Sequence, residues 1–109
     1  MPEVTSDERG RRLFQMHKEK AAENAIEKIR QSMGLDWKVF TSSDVEILKY
    51  ILGETWVSLE RDTWEKCAFS RLKRSELESI IRIGKSVKRK EIREDRGIEE
   101  VSRILSTLV

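Results

Sequence analysis

Almost nothing in this sequence interrupts a helix or cross-links the chain. Its one proline, Pro2, stands at the N-terminus, and only five glycines occur in 109 residues. The interior therefore has little turn chemistry, which excludes an all-β chain with its many turns. A single cysteine, Cys67, leaves no partner for an intrachain disulfide and suits a reducing compartment. With His17 the only histidine, a His-based metal site or a Cys–His dyad would have to be assembled across the fold from lone residues. No apolar run approaches the ~18 residues of a spanning helix, and the opening MPEVTSDERGRR lacks the apolar core of a signal peptide. The expectations are no membrane span and a cytoplasmic location. Amide side chains are limited to Gln15, Asn24 and Gln31; such a shortage among so many Lys, Arg and Glu resembles the composition of thermophile proteins.

What the sequence has is charge, at 39% of residues against 38% hydrophobic. The signs nearly balance, with 22 basic and 20 acidic residues. Ile, Leu and Val recur at helical spacing, so the pattern argues for folded amphipathic helices rather than disorder. The length fits one hydrophobic core. The reading is an all-α, compact bundle of four to five helices forming a single domain over residues 6–109, behind a flexible tail at residues 1–5.

A first helix is capped by Thr5 or Ser6, with Asp7/Arg11 and Glu8/Arg12 pairs at i,i+4. Its stripe is Ala22, Ile26, Ile29 and Met33, continued upstream less cleanly by Leu13, Phe14 and Met16, and Gly34 stops it. Leu35 to Phe40 reads as a loop that tucks Trp37 and Phe40 into the core. Thr41, with Asp44 three residues on, opens a second helix from Ser42 to about Leu52, ended by Gly53. Thr55 caps a third helix through about Phe69, with Trp56, Leu59, Thr63 and Cys67 on one stripe. A lone glycine costs a helix only about 1 kcal/mol, so the second and third helices are alternatively one. Asp95 caps a final helix with Ile98, Val101, Leu105 and Leu108 inward.

The sharpest feature is Arg71 to Arg93, with nine Lys/Arg against three Glu. The net charge is −2 over residues 1–70, +6 over 71–93 and −2 over 94–109. On a helical wheel Arg71, Arg74, Arg82, Lys85, Arg89 and Arg93 fall within an arc of about 100°, opposite Leu77, Ile80, Ile81, Ile83 and Val87. Unbroken, this helix would be about 33 Å long, close to one turn of duplex DNA. The arc depends on the helix running through Ser75, which has capping-box spacing to Glu78, and through Gly84, whose missing side chain would let another helix approach closely.

Other constellations point elsewhere. Taking Gly53 as the turn of a helix-turn-helix over Val45 to Lys66 puts Lys49 where the motif wants a small residue and Glu54 where it wants an apolar one. The groove-entering helix, Glu54 to Phe69, would carry four acidic and two basic residues, the wrong sign for phosphate. Cys67 and the three tryptophans, Trp37, Trp56 and Trp64, read as core, with Trp37 the freest to be exposed. Glu91, Glu94 and Asp95 could gather Mg²⁺, but their Arg neighbours make them a salt-bridged face. Arg12 to His17, an Arg with a His five residues on, resembles the Arg-x4-6-His motif of the helical nucleases called HEPN domains. In that family the motif falls late in the domain, whereas here it lies in the first helix; the resemblance implies a helical RNase.

The charge segregation leads to a small non-enzymatic nucleic-acid-binding protein, accessory to transcription, replication or packaging. Its contacts are phosphate contacts by the six cations of the arc, with no metal or cofactor. The alternative is a helical interaction module that docks an acidic protein on the same face, and the Ile and Leu stripes leave room for a homo-oligomer.

Overall fold

Stripes of Ile and Leu on otherwise charged helices leave one way to take apolar surface out of water, which is to pack stripe against stripe. The structure, a computed structural model, describes the backbone of residues 6–109 and the side chains of residues 13–109. It is an all-α bundle with no strand among the described residues. In order come α1 (Ser6–Met33), a 3-10 segment (Gly34–Val39), α2 (Ser42–Ser58), short α3 (Arg61–Lys66), a second 3-10 segment (Phe69–Arg71), α4 (Arg74–Lys88) and α5 (Glu94–Ser106). The tail read at residues 1–5, Thr5 as a cap, and the Asp7/Arg11 and Glu8/Arg12 pairs lie outside the described residues.

The central helix is α2. It packs on α1, α4 and α5, while α4 packs on α5 and the second 3-10 segment packs on α1. Leu48, Ile51 and Leu52 of α2 join Ile29 of α1, Leu77 and Ile80 of α4, and Val101 and Leu105 of α5 in one buried cluster. Each fully buried Leu or Ile contributes about 1.5–3 kcal/mol. Two sequence signals act as read. Thr41 Oγ1 accepts the Asp44 amide and Asp44 Oδ2 accepts the Thr41 amide, both at 3.1 Å, and Gly34 ends α1 with φ +59°.

Several boundaries differ from the sequence reading. Leu35 to Phe40 is not an open loop: the 3-10 turn runs from Gly34 to Val39 and brings the Trp37 and Phe40 rings to 5.6 Å. Both are half-buried. Gly53 does not end α2. It lies buried inside the helix, where a Cβ would stand 3.1 Å from Lys18 Cγ, so its role is the close approach of α1. Thr55 is no cap either; it is buried in α2 and its hydroxyl donates to Ile51 O at 2.7 Å. The third helix is Arg61–Lys66, because Leu59 and Glu60 take extended backbone. A continuous helix from Ser42 to Phe69 would run about 42 Å and carry Trp64 and Phe69 past the end of the core. The break folds them back, with ring centroids 4.9 Å apart, and ties Ala68 N–H to Leu108 O at 3.0 Å.

The basic stretch also divides, though not at Ser75 or Gly84. Its helix begins at Arg74, with Glu76 Oε1 accepting the Lys73 amide at 2.9 Å, in place of a Ser75/Glu78 box. It stops at Lys88, in a turn where Lys90 N–H reaches Val87 O at 3.0 Å and Glu91 N–H reaches Ser86 O at 2.9 Å. This is a Schellman closure. It lets α5 fold back on α4, starting at Glu94 with Arg93, not Asp95, as the N-cap. Gly84 does permit close approach: a Cβ there would stand 2.6 Å from Ile47 Cγ2 of α2.

The glycines should therefore respond unequally to alanine. Gly84→Ala forces a methyl into the packed α2–α4 crossing and is expected to cost about 1–3 kcal/mol despite its helix propensity. Gly53→Ala presses on Lys18 Cγ at 3.1 Å, which must yield by a few tenths of an ångström, and is expected to stay within about 1 kcal/mol of neutral. Urea unfolding followed by circular dichroism measures both.

Candidate nucleic-acid interface

With Leu77, Ile80, Ile81, Gly84 and Val87 buried, the opposite side of α4 faces outward. Arg74, Ser75, Glu78, Arg82 and Arg89 are exposed there, and Ser79, Lys85 and Ser86 are half-exposed. The six cations of the sequence reading do not form one continuous helical arc. Arg71 ends the second 3-10 segment, Arg74 opens α4, Arg82 and Lys85 lie within it, Arg89 is its C-cap and Arg93 is the N-cap of α5.

Four of the six hold carboxylates. Arg74 Nε is 2.9 Å from Glu78, Lys85 Nζ 2.9 Å from Asp44, Arg89 Nη1 4.0 Å from Glu91 and Arg93 Nε 3.4 Å from Asp95. Among the described residues, Arg71 and Arg82 form no ion pair, and neither do Lys73 and Lys90, which the wheel leaves outside the arc. Arg82 flanks a 230 Å³ cleft with Phe40, Glu78, Ile81 and Lys85.

The Asp44–Lys85 pair is structural as much as electrostatic. Asp44 closes the cap of α2 while it holds α4, so Lys85 joins two elements. The Lys85 ammonium, then the Thr41 amide, hold the Asp44 carboxyl below its ordinary value.

The far end of α4 is built from residues whose placement the sequence hides. Lys88 Nζ lies 4.2 Å from the centre of the Tyr50 ring, a cation–π contact. The Tyr50 hydroxyl donates to Glu94 Oε2 at 2.7 Å; burial, then that bond, push its pKa well up. Lys90 has φ 60°, the left-handed region where glycine is the usual occupant. The run Lys88-Arg89-Lys90 at a helix C-terminus suits the dipole and was the one visible signal for a stop.

The other sequence candidates fall apart in space or into the core. Cys67 is buried with Sγ 3.6 Å from Leu105 O, and burial pushes its thiol up to about 11, which leaves it protonated and unreactive near neutral pH. His17 is exposed on α1, and the Arg12 side chain lies outside the described residues. Of the acidic trio, Glu91 faces Arg89, Asp95 faces Arg93 and Glu94 accepts from Tyr50. Trp64 packs on Phe69, and Trp56 on Phe14 at 5.8 Å. No helix of the described residues is long and apolar enough to cross a membrane.

No family model, curated protein or solved structure matches this chain.

Two outcomes follow from the geometry. Lys90→Gly relieves the left-handed strain and is expected to raise stability by about 0.5–1 kcal/mol in urea unfolding, net of the greater freedom of glycine when unfolded. For Asp44, the folded pKa lies below the unfolded value of about 3.9. Its contribution is therefore complete above about pH 5 and lost as pH falls through the folded value. Asp44→Ala should lower stability at pH 7 and cost progressively less as pH falls below the unfolded value, as read by thermal unfolding across that range.

Proposed function

We infer that this protein is a non-catalytic nucleic-acid-binding protein that contacts phosphates through the outward side of α4 and the segments that flank it. The observation that carries the reading is the concentration of positive charge. Residues 71–93 hold nine of the 22 basic residues, and the segments on either side are net negative. Packing of the apolar side of α4 against α2 leaves Arg74 and Arg82 exposed on its outward side, with Arg71, Arg89 and Arg93 exposed in the flanking segments; each phosphate neutralised there would release condensed counterions. Arg71, Arg82, Arg89 and Arg93 are the contacts, and Lys85 is mainly a link between α2 and α4. A cytoplasmic location, read from the lone cysteine, belongs to the same proposal.

Fluorescence anisotropy with labelled nucleic acid tests it. Binding is expected at ~50 mM salt, and replacing Arg71, Arg82, Arg89 and Arg93 by Ala should lower the slope of log K against log salt by about 3–4. Circular dichroism confirms that the variant stays folded. Undetectable binding at that salt, or a slope the four replacements leave unchanged, overturns the reading. Stoichiometric capture of an acidic protein, lost in the same variant, would replace it with the docking alternative.

A further inference from the structure

Resting on that reading, we propose that the ligand is duplex DNA, with α4 in the mouth of the major groove and its two ends against phosphates of opposite strands. The division of the basic stretch sorts its cations into two groups. Arg71, Lys73 and Arg74 stand at the N-terminal end of α4, and Lys88, Arg89 and Lys90 at its C-terminal end. The 15 residues between Arg74 and Lys88 span about 22 Å. A B-DNA major groove is about 12 Å wide and admits a helix of about 10–12 Å diameter, whereas the minor groove, at about 6 Å, does not. With a strand on each side, the ends of such a helix fall over phosphates and its middle over base edges.

The charge order along α4 fits that placement. Between the cationic ends the outward side carries Glu78, which Arg74 holds at 2.9 Å, then Ser79 and Arg82, and Lys85, which Asp44 holds at 2.9 Å. A carboxylate in the path of a single phosphate backbone is repulsive. Over a groove floor it faces base edges, where Glu accepts from cytosine, Ser bonds with either sense and Arg pairs with guanine.

Lys90 is a second, independent observation. At a C-terminal position that glycine occupies without strain, the chain spends about 1 kcal/mol to hold a left-handed lysine, and the residue it gains extends the cationic end of α4 beyond its last turn. Strain of this kind collects at functional positions.

The aromatic residues supply a third. Proteins that hold single strands stack bases on exposed rings. Here α4 has no aromatic residue. Trp37 rests against Phe40, Trp56 against Phe14 and Trp64 against Phe69, Tyr50 lies under Lys88, and the exposed ring of Phe14 belongs to α1. Duplex RNA is also excluded by shape, since its major groove is too deep and narrow for side chains to read.

The experiment compares a labelled DNA duplex of about 20 base pairs, its single strand and the RNA duplex of the same sequence at ~50 mM salt. Phosphate-ethylation interference is then mapped on the DNA duplex. DNA duplex is expected to bind at least about 10-fold more tightly than the other two, with interference on both strands across one major groove. The pairs Arg71→Ala with Lys73→Ala, and Arg89→Ala with Lys90→Gly, should each lower the salt slope by about 1.8. Each should also erase interference on one strand only; Lys90→Gly favours the folded state, which keeps the second pair informative. Equal affinity for single strand or RNA duplex, interference confined to one strand, or interference across the minor groove overturns the proposal and leaves nucleic-acid binding standing. Failure to bind any of the three overturns both.

Discussion

A missing methyl group at Gly84 governs how this bundle is put together. A Cβ there would stand 2.6 Å from Ile47 and 3.4 Å from Ile51 Cβ, so the backbones of α2 and α4 come closer than any other residue would permit. That contact fixes the rotation of α4 about its own axis. Leu77, Ile80, Ile81 and Val87 must then face the core, and the Arg and Ser residues between them must face out. A second glycine does the same for the next pair. A Cβ at Gly97 would stand 2.5 Å from Val87 Cγ2 and 3.3 Å from Ile83 Cγ2, so α5 seats on α4 as closely as α4 seats on α2. Three helices are thus registered by two absent side chains, and the basic surface is the remainder left by that registration.

Around this core the polar contacts act as ties between elements more than as sources of stability. Surface ion pairs are worth about 0–1 kcal/mol each. Lys85 to Asp44 and Lys18 to Glu54, however, join separate helices, and Tyr50 to Glu94 joins α2 to α5. Each therefore selects one packing among the several that apolar stripes alone would accept. The Asp44 contact does this at the cap of α2, where it also satisfies a backbone amide of the first turn; loss of one carboxylate there would loosen a helix start and a helix crossing together.

Legibility followed the range of the interaction. Thr41 and Asp44 are three residues apart, and their reciprocal bonds could be read from side-chain chemistry. Gly34 as a stop and the apolar stripes were equally local, and Gly84 could be read as a point of close approach because it falls on the apolar side of its own helix. Gly53 was misread because a glycine that ends a helix and one that admits a neighbouring helix look alike in sequence; only Lys18, 35 residues away, distinguishes them. The break at Leu59 and Glu60 has no glycine or proline to announce it. It arises because Cys67 and Phe69 are buried, and Trp64 partly so, only if the chain turns there, and burial outweighs local propensity. The end of α4 was hidden for a related reason: lysine occupies the position where glycine would have marked the turn. The cations of the basic stretch were visible as a set, but their separation into two ends followed from boundaries that tertiary packing decides.

The carboxylates beside Arg74, Lys85, Arg89 and Arg93 have a consequence for how such a surface meets a polyanion. It carries part of its ion atmosphere as covalently attached side chains, so fewer mobile anions are condensed on it than its count of cations suggests. A phosphate that pairs with one of these cations must displace the attached acid, at a cost in contact energy, while it still releases its own condensed counterions. Arg71, Lys73, Arg82 and Lys90, which hold no carboxylate among the described residues, would meet a polyanion without first giving up a partner. A ligand whose charges fell at those four positions would therefore meet less competition than one that is merely negative.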